Sequence, residues 1–182
     1  MHPVIPYVSA DLQEPADVVG AIRARRGGEF INLDRMLLHS IPFARGWNTF
    51  MGAVRRDLAL PATLREIAMC GVAVLNRAEY EFIHHAPELI AAGGTDQQVS
   101  QLRSIGEVGS DLSAFSPLEQ DVILLTRHMT RDIEVPQALT LRLHQALGST
   151  QLVELVGVIA AYNMVSRFLM ALGVTPEDTD RD

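Results

Sequence analysis

The sequence has 182 residues, of which 48% are hydrophobic and 20% charged, and its formal net charge is −7. This balance predicts one soluble globular domain with its own core and excludes a disordered chain. The negative charge argues against a nucleic-acid partner, since phosphate binding needs clustered Lys and Arg. The one compact basic group, Arg23, Arg25 and Arg26, precedes two glycines and is interpreted as a solvated helix end.

The compartment is predicted from three further features. The single cysteine, Cys70, cannot form an intramolecular disulfide, so nothing indicates an oxidising compartment. The first residues lack the basic and apolar pattern of a signal peptide. The longest apolar run, 152–161, contains Glu154 and is too short to cross a bilayer. We therefore expect a cytoplasmic protein with no membrane partner.

The chain begins with a segment of little periodicity. Residues 1–14, which include Pro3 and Pro6, are predicted to form an extended arm, a type of segment that often lies on a neighbouring subunit. Residues 15–175 are predicted to form one helical domain, and residues 176–182 a polar tail.

Apolar residues recur at helical spacing along most of the chain, and no segment shows the two-residue alternation of a strand. Prolines, polar caps and glycines mark the predicted helix ends. Helices are predicted to start at Pro15, Asp34, Pro42 and Pro61 and, after a central hairpin, to cover 97–105, Ser116 to about Met129, 136–147 and 151–172. Thr95 and Ser116 are the predicted N-caps of two of them. The last is apolar almost all round, which predicts a buried central helix or a subunit contact. The predicted fold class is all-α, a single domain of about eight helices.

The stretch 64–94 holds the densest group of titratable side chains and is the predicted site. A straight helix would separate Glu66 from Glu81 by about 22 Å. However, residues 76–79, with the sequence NRAE, match a capping box with Asn76 as N-cap, which predicts a turn. An antiparallel hairpin would then place Glu66, ten residues before the turn, beside His85, nine residues after it.

The second helix of this hairpin places carboxylate beside imidazole. Glu81 lies three residues before His84 and four before His85, and both spacings bring side chains together. A carboxylate pair near an imidazole separates pKa values, so that one group acts as a base while another donates a proton. We assign catalytic roles to Glu66, Glu81 and His85, with Tyr80 donating a hydrogen bond. The alternative is a polar cluster that only fastens the hairpin.

Four residues are predicted to contact substrate: His84, Cys70, Trp47 and Arg167. Three of them have a structural alternative. Cys70 lies one turn after Glu66 and is either in the same cavity or inert in the core. Trp47 forms pocket wall or core, and Arg167 holds a substrate carboxylate or forms a structural ion pair. No metal is expected, because the one E-x-x-H unit at 81–84 has no second copy.

Three passages carry a family resemblance: LDRMLLHSIPFARGWN at 33–48, LREIAMCGVAVLNRAEYEFIHHAPELIAAG at 64–93 and LVELVGVIAAYNMVSRFLMALGV at 152–174. With them the chain resembles the carboxymuconolactone decarboxylase-like superfamily, which includes the alkylhydroperoxidase D-like peroxidases. The resemblance implies the alkylhydroperoxidase D-like helical fold with a central hairpin. It also implies a homo-oligomer, commonly a trimer or hexamer.

The sequence departs from the pattern of the peroxidase branch at one motif. In the peroxidase branch a glutamate precedes a C-x-x-C pair, which is followed after three further residues by a histidine. Glu66 and His85 match that glutamate and histidine, but Ala78 and Glu81 occupy the cysteine positions. The chain therefore cannot cycle between a dithiol and an intramolecular disulfide.

The resemblance then implies the decarboxylase-like branch, a cofactor-independent enzyme acting on a small carboxylated or lactone substrate. Two alternatives stay open. One is a thiol-dependent hydroperoxidase that uses Cys70 or an outside thiol. The other is a non-catalytic oligomeric binding protein.

Overall fold

A computed structural model describes residues 2–177, and within this range the chain is all-helical, which confirms the predicted fold class. Two compact units form, one from Met1–Asp57 with Phe168–Asp182 and the other from Leu58–Arg167. The helices of the described range are α1 Ala16–Arg26, α2 Asn32–Leu37, α3 Ile41–Arg56, α4 Ala62–Leu75, α5 Glu79–Ala91, α6 Asp96–Leu102, α7 Pro117–Arg127, a π-helical turn His128–Asp132, and α8 Gln137–Leu172.

In the first unit, α1 buries the apolar positions that its helical spacing predicts, Val18, Val19 and Ile22. The basic cluster at its C-terminal end differs from the prediction. Arg25 and Arg26 bind the buried carboxylate of Asp34 at 3.0 and 2.8 Å, because a buried carboxylate needs cationic partners. These two arginines therefore form a structural ion cluster rather than a solvated helix end.

The N-terminal segment has no helix before α1 and packs on its own unit. The Val4 amide donates to the carbonyl of Leu172 at 3.0 Å. The Arg35 side chain donates to the Val8 carbonyl, and that of His39 to the Pro6 carbonyl. At the other end, the predicted tail 176–182 lies outside the described residues from position 178 onward.

In the second unit, α4 packs against α5, α6 and α7. Ten of its residues are buried, including Ile67, Ala68 and Met69. Gly71 permits the close approach of α7, since a Cβ there would lie 3.1 Å from the Cγ2 atom of Thr126. The helix that carries Glu66 is thus the centre of this unit.

The turn between α4 and α5 forms by a different device from the predicted one. Asn76 is the C-cap of α4 and Ala78 the N-cap of α5. The Ala78 amide donates to the Ala73 carbonyl and the Arg77 amide to the Val74 carbonyl, while Arg77 has a φ of 58°. This is the Schellman motif of a helix C-terminus. The predicted hairpin is present, but the predicted capping box with Asn76 as N-cap is wrong.

Two other predicted helix starts are confirmed. The Thr95 hydroxyl accepts from the Gln98 amide, and the Ser116 hydroxyl from the Glu119 amide. In both, the side chain three residues on accepts from the amide of the cap residue, which completes a capping box. After α7 the chain continues as a π-helical turn, which the sequence pattern did not predict.

The last helix, α8, includes both predicted segments 136–147 and 151–172. Gly148, the predicted stop, has φ 72° and ψ 177°, so the helix is interrupted there. Within the second unit α8 buries Leu155, Val158 and Ile159, at helical spacing, and exposes Val153. By length and composition alone, α8 is long and apolar enough to cross a membrane, and 44% of its most apolar window is buried.

Candidate functional site

The hairpin brings Glu66 of α4 and His85 of α5 into direct contact. The Nδ1 atom of His85 donates to Oε2 of Glu66 at 2.7 Å, within the range of a charge-assisted hydrogen bond. The two residues are nineteen positions apart in the sequence and meet because α4 and α5 fold back at residues 76–78. The pairing predicted from the positions of these residues about the turn is present.

The other ring nitrogen of His85 faces two further groups. Its Nε2 atom lies 2.9 Å from the hydroxyl of Tyr162 and 3.4 Å from Oε2 of Glu81. The rings of His85 and Tyr162 pack edge to face, with centroids 4.9 Å apart. The imidazole is therefore held through both nitrogens, between two carboxylates and a phenol.

This cluster lies in an environment of low polarity. The exposed fractions are 6% for Glu66, 2% for Glu81 and 7% for His85. A further charge lies at its edge, since Nε of Arg65 is 3.5 Å from Oε1 of Glu66. At such burial, Coulomb interactions between these groups are stronger than at the surface.

The pKa of His85 is raised above its ordinary value of 6.5. Burial alone lowers this pKa, but the hydrogen bonds to Glu66 and then Glu81, together with their negative charges, outweigh burial. The charged imidazolium is consequently favoured near neutral pH. Such a group can donate a proton to a reacting atom and take up another from water after the reaction.

The two other titratable residues predicted on α5 contact each other. The rings of Tyr80 and His84 stack with centroids 4.4 Å apart. The Nδ1 atom of His84 donates to the backbone carbonyl of Tyr80 at 2.7 Å. The hydroxyl of Tyr162 is hydrogen-bonded to His85, and the sequence marks Tyr162 only as a polar interruption of an apolar helix.

Cys70 is completely buried in α4. Burial raises the pKa of its thiol far above the ordinary value, and the negative charge of Glu66 raises it further. The thiolate is the nucleophilic form, so this environment suppresses reactivity. This geometry supports the alternative in which Cys70 is an inert residue of the core.

The remaining predicted contacts, Trp47 and Arg167, lie in other surroundings. Trp47 is buried in the first unit, in an aromatic cluster with Phe43 and Phe168. Arg167 is exposed and donates to the backbone and side-chain oxygens of Asn163. Among the described residues, Arg167 pairs with this amide and not with the expected carboxylate.

The described residues contain no group of three or more His, Cys, Asp or Glu side chains arranged to hold a metal ion.

Comparison with known proteins gives a family. Residues 42–118 match the model of the carboxymuconolactone decarboxylase family. The segment that matches this family contains Glu66, Glu81 and His85, but not Tyr162. No curated protein is significantly similar to the chain in sequence.

Two solved structures resemble this chain in fold. One is an uncharacterized peroxidase-related protein from Silicibacter sp. TM1040, at 14% identity and a TM-score of 0.78. The other is an uncharacterized peroxidase-related protein from Ralstonia eutropha JMP134 with an alkylhydroperoxidase AhpD core, at 17% identity and the same TM-score. Each comparison covers 98% of this chain and 95% of the other. At such identities the likeness shows the fold alone, and it confirms the AhpD-like architecture.

Proposed function

We propose that this protein is a proton-transfer enzyme that acts on a small carboxylated or lactone substrate without a cofactor. The observation that supports the proposal is the contact of both His85 nitrogens with acidic groups, Glu66 on one side and Tyr162 and Glu81 on the other. The raised pKa of His85 keeps a proton available near neutral pH. Decarboxylation and isomerisation both need such a proton.

In this mechanism His85 is the general acid and Glu66 the positioning residue. When a substrate loses CO₂, the electron pair of the broken bond stays on carbon as a carbanion or enolate. The Nε2 proton of His85 then passes to that carbon, and the imidazole becomes neutral. Glu66 fixes the ring by accepting from Nδ1, and Glu81 and Tyr162 stabilise the proton at Nε2 before transfer.

We also propose a cellular location, an oligomeric state and substrate contacts for the enzyme. We expect a cytoplasmic homo-oligomer, commonly a trimer or hexamer in this superfamily, whose partner is a small-molecule substrate. His84 and Arg167 are proposed contacts for that substrate. Arg167 is exposed and would have to release Asn163 to bind a carboxylate.

A thiol-dependent peroxidase is the second candidate, favoured by the peroxidase-related proteins that share the fold. The chain has one cysteine, so each turnover would need an outside thiol to reduce its oxidised form. Burial of Cys70 and the raised pKa of its thiol argue against this chemistry. A third candidate, a binding protein without catalysis, is favoured only by the internal hydrogen bonding of the cluster.

The deciding experiment is a screen of small carboxylated lactones and β-keto acids for CO₂ release, run beside a hydroperoxide assay with an added thiol. The proposal expects CO₂ release by the wild type, its loss in His85→Gln and its retention in the matched control His144→Gln. Hydroperoxide turnover that disappears in Cys70→Ser would instead establish the peroxidase. Ligand binding without turnover of any substrate would favour the binding protein.

A further inference from the structure

A cavity of about 340 Å³ lies in the second unit beside the π-helical turn. Its lining includes Arg127, His128, Arg131 and Asp132, and it shares no residue with the Glu66 and His85 cluster. The volume is within the range of small-molecule sites. Three potentially cationic side chains therefore line one concavity in a protein whose net charge is −7.

The two arginines of this cavity differ in their contacts from other arginines of the described residues. Within residues 2–177, the guanidinium groups of Arg127 and Arg131 have no hydrogen bond, ion pair or aromatic partner. By contrast, Arg103 and Arg142 bind carboxylates at 2.8 and 2.6 Å. The single carboxylate of the lining, Asp132, accepts from Nδ1 of His128 at 3.0 Å. The positive charge of the two arginines is consequently available to a ligand.

The backbone that presents these residues is unusual. The π-helical turn closes with a hydrogen bond from the Ile133 amide to the His128 carbonyl, and Ile133 has a φ of 68°. A positive φ is strained for a β-branched residue, and π-helical turns occur frequently at functional sites. Since Arg127 and Arg131 are four residues apart around this turn, they line the cavity together.

We propose that this cavity binds a small phosphate-bearing ligand, with Arg127 and Arg131 holding the dianion. Guanidinium groups match phosphate oxygens with paired N–H donors. Gly106 also lines the cavity, and a Cβ at this position would lie 3.2 Å from Nη2 of Arg131. This glycine leaves room beside the guanidinium, and the cavity can take more of the ligand than its phosphate.

The test is calorimetry of the full-length protein with inorganic phosphate and with glycerol phosphate, at constant ionic strength. We expect saturable binding, weakened at least about tenfold in Arg131→Gln and in Arg127→Gln. The matched control Arg142→Gln removes the same charge outside the cavity and is expected to bind as the wild type does.

The two probes distinguish the source of the phosphate group. Tighter binding of glycerol phosphate indicates a phosphomonoester, and equal or weaker binding indicates free phosphate. Gly106→Ala tests the cavity without removing charge and is expected to weaken glycerol phosphate more than inorganic phosphate. Absence of saturable binding to the wild type, or equal weakening in Arg142→Gln, would overturn the proposal.

Discussion

His85 and Tyr162 are 77 positions apart in the sequence, yet Nε2 of the first lies 2.9 Å from the hydroxyl of the second. Both side chains are buried. This contact fastens α8 to the α4–α5 hairpin and completes the surroundings of the imidazole. The proposed general acid therefore depends on a helix far from it in the chain.

The Tyr162→Phe variant tests how much the contact between Tyr162 and His85 contributes to stability. It keeps the aromatic ring and removes only the hydroxyl, so we expect a loss of about 1 kcal/mol in the free energy of unfolding. The measurement is urea denaturation of Tyr162→Phe, His85→Gln and the double variant. A direct interaction makes the two losses less than additive in the double-mutant cycle, whereas strict additivity would contradict it.

Glu66→Gln is expected to lower the pKa of His85. Burial opposes the charged imidazole, and the hydrogen bonds and charges of Glu66 and Glu81 together outweigh it. Removing the charge of Glu66 leaves only Glu81 to oppose the effect of burial, so the pKa falls. The measurement is an NMR titration of the His85 ring. In the control Glu88→Gln, which changes an exposed carboxylate on the same helix, the pKa of His85 should not move.

The raised pKa of His85 also makes stability depend on pH. In the unfolded chain the ordinary value of 6.5 applies, while the folded value is higher. The contribution of the charged imidazole is therefore fully present below pH 6.5 and is lost as pH rises through the folded pKa. Urea unfolding between about pH 5.5 and pH 9 should show this decline in the wild type. The His85→Gln variant should lack that component, and equal slopes would contradict the prediction.

The sequence predicted what depends on local spacing. The hairpin, the contact of Glu66 with His85 and the caps at Thr95 and Ser116 all involve residues whose positions follow from helix geometry and nearby turn signals. A periodic pattern and a count of residues around one turn were sufficient for these features.

Contacts between distant segments could not be predicted in this way. Asn76 looked like an N-cap, but its side chain donates to Asn163 and Ser166, which lie 87 and 90 positions away. Tyr162 has a comparable distant partner. A local pattern carries no information on which helices meet, so it identifies neither the partners of Asn76 nor the contact of Tyr162 with His85.

The buried position of Cys70 predicts an unreactive thiol in the folded protein. Iodoacetamide should label it only as fast as the protein opens, since the side chain is inaccessible and the raised pKa disfavours the thiolate. Mass spectrometry of the alkylated protein, native and in urea, measures the two rates. The control is Val108→Cys in a Cys70→Ser background, which places a thiol at a fully exposed position. Equal labelling rates of both thiols would show that Cys70 is reactive and would favour the thiol-dependent peroxidase.

Gly148 interrupts α8 with φ 72° and ψ 177°, a conformation that is essentially restricted to glycine. Gly148→Ala is therefore expected to destabilise the protein by about 1 to 3 kcal/mol, although a Cβ there would meet no atom within 4 Å. Gly157 is the matched control, because it also has open space around its Cβ position but lies in regular helix. Gly157→Ala should leave stability unchanged or raise it by about 0.5 to 1 kcal/mol. Thermal and urea unfolding of the two variants show whether backbone strain, rather than lack of room for a Cβ, causes the loss of stability. Equal effects of both substitutions would show that the interruption at Gly148 is not maintained in solution.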